Sequence, residues 1–124
     1  MQCNQTNRER FQLHNVTSLQ TYGQNQFAAL VRIAADIKDR GGRLVLVDLP
    51  HPRCFTNLVS NWKLYQNLKR PHINSAVQLG AYYINFQNMN TDQDFMDATH
   101  PLPAAATKWS FRLAKELALV IGRN

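Results

Sequence analysis

The run Leu44-Val-Leu-Val-Asp-Leu49 restricts the fold more than any other feature of this chain. It is short, almost continuously apolar and rich in branched side chains. Gly41-Gly42 precedes it, and Pro50 and Pro52 follow. Such a run suits a strand covered on both faces, which is the habit of parallel sheets. A second run, Ala81-Tyr-Tyr-Ile-Asn-Phe86, has the same character. The segment between them reads as helix. A strand–helix–strand unit of this kind forms a right-handed parallel crossover.

Helical periodicity fills the rest. Between about Ser18 and Arg40, the residues Phe27, Leu30, Val31, Ala34 and Ile37 fall at steps of three and four. Lys38 and Arg40 stand in the last turn, and Gly41-Gly42 stops the helix. After the prolines, Asn57 caps a helix carrying Leu58, Trp62, Tyr65 and Leu68 on one side. Pro71 is predicted to break it, with a short continuation from Ser75 to Leu79 capped by Asn74 and closed by Gly80. Residues 87–100 read as a polar loop anchored by Met89, Phe95 and Met96. Pro101 and Pro103 suit a helix entrance, and Trp109, Leu113, Leu117 and Val120 make the apolar stripe of a final helix. Residues 1–17 form a polar segment, loose or with a short edge strand over 11–16. The fold class is α/β in the order α-β-α-β-α: a small parallel sheet flanked by helices, spanning 18–124 as a domain or partial domain.

Length and composition narrow the class. The chain has 124 residues, enough for one small domain, with 44% apolar and 18% charged residues, so it can bury a core. No run approaches the roughly 18 apolar residues of a membrane span, and the first residues carry no apolar stretch of a secretory signal. The net charge is +6, but Arg8, Arg32, Arg43, Arg53, Lys63, Lys108 and Arg123 are scattered rather than clustered, which argues against a nucleic-acid partner. Cys3 and Cys54 are the only cysteines. The terminal position of Cys3 argues against a structural disulfide. Two strands alone make a poor sheet. The expectation is a larger sheet completed by other chain; the alternative is an edge paired with a second copy.

Ligands of open parallel sheets bind beyond the carboxyl ends of the strands. Two loops leave those ends. The first holds His51, Arg53 and Cys54; the second holds Asp94-Phe-Met-Asp97-Ala-Thr-His100. Asp97 and His100 are the sharpest pair. A carboxylate three residues before a histidine can hold one ring nitrogen and leave the other as a general base. An ordinary loop hydrogen bond is the bland alternative. Arg53 and His51 are candidates for binding substrate. Cys54 offers a thiol nucleophile with His100 as base, against the plainer reading of a cysteine packed under a loop. A zinc site from His51, Cys54, Asp97 and His100 is a weaker pattern, so neither metal nor cofactor is expected. Asp48, in an apolar strand, needs a partner, for which Arg43 or a backbone amide is available. His72 reads as a turn residue. Trp62, Tyr65 and Trp109 read as core.

The block Asp94-Phe-Met-Asp97-Ala-Thr-His100 and the closing helix Ala105–Leu117 resemble the last part of SGNH (GDSL-type) hydrolases. The strand Leu44–Leu49 with its proline exit, the helix after it and Ala81–Phe86 extend the likeness over residues 19–121. The resemblance implies a flavodoxin-like sheet, an acyl-ester substrate, and Asp97 and His100 as two members of a Ser-His-Asp triad. The family's Gly-Asp-Ser nucleophile motif is missing: Ser18, Ser60, Ser75 and Ser110 follow no strand. The chain therefore resembles the carboxyl-terminal half of such a hydrolase or acyltransferase, with the base and orienter but not the attacking serine. The alternative from another class is a non-catalytic α/β module that associates through its sheet edges.

Overall fold

The computed structural model describes residues 23–58, 62–89, 92–97 and 100–122. In chain order these form helix α1 (Gln24–Asp39), strand β1 (Val45–Asp48), the short helix α2 (Arg53–Leu58), helix α3 (Trp62–Gln78), strand β2 (Tyr82–Asn85), one 3₁₀ turn (Asp92–Asp94) and helix α4 (Pro103–Ile121). The protein is mixed α/β and mostly helical. The proposed strand at 11–16 lies outside the described residues.

The two strands pair in parallel, with Val45 opposite Tyr82 and Asp48 opposite Asn85. Each is entered from the same local device. At the end of α1, the Gly41 N–H donates to Lys38 O (2.9 Å) and the Gly42 N–H to Ile37 O (2.9 Å). At the end of α3, the Gly80 N–H donates to Val77 O (2.9 Å) and the Ala81 N–H to Ala76 O (3.0 Å). This paired pattern is a Schellman cap, and its pivot needs a left-handed backbone. Gly41 (φ 80°) and Gly80 (φ 90°) supply it without a Cβ penalty.

Alanines make the main core. Ala34 of α1, Ala76 of α3 and Ala81 before β2 are buried together, with Leu44, Leu46 and Leu79 packed on them. Small side chains let α1 and α3 approach closely. A second cluster joins Phe95, Ala105 and Trp109, with Met89 against it.

Four expectations need correction. Asn57 does not cap a helix: it lies inside α2, which begins at Arg53. Pro71 does not break its helix: α3 runs through it from Trp62 to Gln78. Ile73 and Ala76, just beyond the proline, are both buried, so packing outweighs the lost backbone hydrogen bond. His72 is accordingly helical, its Nδ1 3.0 Å from Leu68 O. The strands are also less covered than a central parallel pair: every residue of β1 is half-buried, and only Ile84 of β2 is buried. Among the described residues the sheet has two strands, so each has a single neighbour.

Candidate functional site

The second rim loop folds back on itself. Phe95 and Pro101 form an antiparallel bridge. The Met96 N–H donates to His100 O (2.8 Å), and the Leu102 N–H donates to Asp94 O (2.8 Å). Phe95 anchors this hairpin by packing its ring on Trp109 of α4, centroids 5.5 Å apart. Pro103 opens α4, where a missing N–H costs nothing.

Asp97 and His100 stand together at the tip. The His100 backbone N–H donates to Asp97 Oδ1 (2.8 Å). The ring Nδ1 lies 2.9 Å from Oδ1 and 2.8 Å from Oδ2 of the same carboxylate. An ionised carboxylate only accepts, so Nδ1 carries the proton. In the neutral ring, Nε2 then holds the lone pair. The His100 side chain is 71% exposed and that of Asp97 52%. An ion pair that wet adds little to stability; its effect is to fix the ring's tautomer and direction.

An apolar groove of about 310 Å³ runs beside this hairpin, across the carboxyl ends of both strands. Leu49, Pro50, Phe86, Phe95, Pro101 and Trp109 line it. Leu49 is 57% exposed. The Trp109 Nε1–H is buried with no hydrogen-bond partner among the described residues.

The first rim loop is bonded to the second: the Arg53 backbone N–H donates to Asp92 Oδ1 (2.7 Å). His51 stacks on Phe55 (centroids 5.3 Å, 21°) and meets Trp62 edge-on (5.2 Å, 74°). Trp62 in turn stacks on Tyr65 (5.3 Å). Burial holds the His51 pKa below its usual value; Asp48 opposes that shift and Lys69 adds to it.

Cys54 is disulfide-bonded. It therefore has no thiol to ionise, which removes both the thiol-nucleophile reading and the zinc set that needed its thiolate. It also corrects the expectation that no structural disulfide forms. The sequence holds one other cysteine, Cys3, outside the described residues.

Asp48 is paired, but not with Arg43. Its Oδ2 accepts from Lys69 Nζ (2.6 Å) and from Tyr83 Oη (2.6 Å). Lys69 is 6% exposed, and its Nζ sits 5.2 Å from the Tyr65 ring centre. Burial and the bond to the Asp48 carboxylate push the Tyr83 pKa well up. Burial, then the Asp48 charge, raises that of Tyr65 as well. Lys69 was hidden in the sequence because it lies 21 residues from Asp48 and on another element. Gln66 and Arg70 have a faint signal in the sequence: Trp62, Gln66 and Arg70 are spaced by four and share one face of α3.

Comparison with protein-family models, curated proteins and solved structures found no match to this chain. Among the described residues, no helix is long and apolar enough to cross a membrane.

Proposed function

We propose that this chain supplies the base and orienter of an SGNH-type ester hydrolase or acyltransferase, as the later half of a flavodoxin-like domain. The observation that carries the reading is the Asp97–His100 contact: both carboxylate oxygens lie within 2.9 Å of Nδ1, beyond the carboxyl ends of two parallel strands. A serine and the oxyanion donors come from chain beyond residues 1–124 or from a partner.

The residues then have definite tasks. The serine hydroxyl proton passes to His100 Nε2 as its oxygen attacks the acyl carbonyl. The same proton moves on to the departing alkoxide as the ester C–O bond breaks. Asp97 keeps Nδ1–H in place and stabilises the imidazolium formed between these steps. The apolar groove holds the acyl chain. The half-buried β1, with exposed Leu49 just after it, offers an edge for the completing strand.

The test is hydrolysis of p-nitrophenyl acetate by the protein purified from its own cells at its full encoded length, with any bound partner. A competent preparation should lose on the order of 10³-fold or more in kcat on His100→Ala, while residues 1–124 alone stay at background. Two results would overturn the reading: activity indifferent to His100→Ala, or a full-length preparation inactive on acyl esters.

A further inference from the structure

A second concavity, of about 500 Å³, takes in His51 and Arg53 but neither Asp97 nor His100, and its lining is more polar than that of the apolar groove. It opens between the carboxyl ends of the two strands. His51 follows β1, and Gln87 and Asn88 follow β2. Arg53 of α2 and Gln66 and Arg70 of α3 close it. This crevice is the usual place for a ligand in an open α/β sheet. Each of its polar side chains has a hydrogen-bond donor, Arg53 and Arg70 have no acceptor, and its lining contains no carboxylate.

Two details point to an absent acceptor. The Nε2 amides of Gln66 and Gln87 are both buried and have no hydrogen-bond partner among the described residues. Buried donors are rarely left unsatisfied, and each one costs free energy until something accepts from it. Neither the Arg53 nor the Arg70 guanidinium takes part in an ion pair among the described residues, whereas Arg40, Lys69, Lys108 and Arg112 do. Gln66, Arg70 and Gln87 also line an adjoining hollow of about 220 Å³, so the donor surface continues past the first cleft. His51 on the rim is held toward its neutral form by burial, so it does not require an acid partner there.

We propose that this cleft binds a small molecule through an oxyanion, phosphate or carboxylate, held between Arg53 and Arg70 and capped by the side-chain amides of Gln66 and Gln87. Planar guanidinium forks match such groups with two parallel hydrogen bonds each. The volume suits a metabolite-sized ligand rather than a polymer. The scattered basic residues elsewhere on the chain are consistent with a local site rather than a charged face.

The experiment is calorimetric titration of the full chain with phenyl phosphate, benzoate and phenol in 0.15 M salt. Phenyl phosphate or benzoate should bind and phenol should not; whichever anion binds more tightly identifies the preferred source of the oxyanion. Arg70→Gln and Arg53→Gln should each weaken binding about tenfold or more, the value of a charge-assisted bond. Gln66→Leu should weaken it less, and His100→Ala and Lys108→Gln should leave it unchanged. Circular dichroism checks that each variant is folded, and Arg70→Lys, which keeps the charge and loses the fork, provides a second variant at that position. Binding of neither anion at millimolar concentration would overturn the proposal. So would binding that Lys108→Gln weakens as much as Arg70→Gln, since that is only attraction to a net charge of +6.

Discussion

Lys69 and Asp48 show how a single buried contact governs its surroundings. The pair is shielded from water, with side chains 8% and 14% exposed, and Tyr83 shares the same carboxylate oxygen. Lys69→Met would leave Asp48 charged and stranded, and should cost about 3–5 kcal/mol in urea unfolding. Adding Asp48→Leu to that variant should recover much of the loss, because a dry apolar pair needs no counter-charge. His51 gives a pH signature. Its folded pKa lies below the unfolded value of about 6.5, so below that pH the unfolded chain binds the extra proton first. Stability should therefore fall as pH drops below about 6.5, and His51→Phe should flatten that part of the profile. Tyr83 acts at the other end: its raised pKa means stability is lost as pH climbs past about 10, where the unfolded phenol ionises. At His100, ¹⁵N shifts of the neutral ring should report Nδ1–H, and Asp97→Ala should release the ring to the Nε2–H form that histidine favours in water. An unchanged tautomer in that variant would mean Asp97 does not orient the ring.

The elements set what surface each residue meets. α3 passes through Pro71 because Ile73 and Ala76 beyond it are buried. Pro71→Ala restores one N–H to the helix while loosening the unfolded chain, and thermal unfolding should show a net gain of about 1–2 kcal/mol. Trp109 does more than fill space, since its ring carries Phe95 and so the hairpin that presents Asp97 and His100. Trp109→Ala should cost about 3–5 kcal/mol and broaden the His100 resonances. The sequence was informative at this scale wherever a local rule decides. Gly41 and Gly80 are needed for positive φ, Pro103 for a helix entrance, and the two apolar runs for parallel pairing. It misled where distant packing competes with a local rule, as at Pro71. It was silent where a partner is remote in sequence: Lys69 beside Asp48, the bonded sulfur of Cys54, and the donor-lined cleft assembled from four segments. The Asp97–His100 contact was legible because its members are three positions apart.

At the scale of the whole molecule the sheet is small for its strands. β1 is apolar through Val45, Leu46 and Val47, yet none of these is fully buried. A strand of that composition is normally an inner one. Both readings of the chain, a hydrolase half and an edge-pairing module, therefore expect β1 to be covered in its working state. Sedimentation should give a mass above 14.2 kDa at tens of micromolar in the module reading, and Leu49→Lys should return it to the monomer. In the hydrolase reading the residue 1–124 chain stays monomeric until its other half is supplied.

The bond from the Arg53 amide to Asp92 ties the two rim loops to one another. Arg53 borders the donor-lined cleft, and Asp92 begins the stretch that ends at His100. One carboxylate thus links the loop that borders the cleft to the segment that carries Asp97 and His100. A movement of either loop strains that bond, so their positions are coupled by the roughly 1 kcal/mol that one exposed hydrogen bond is worth.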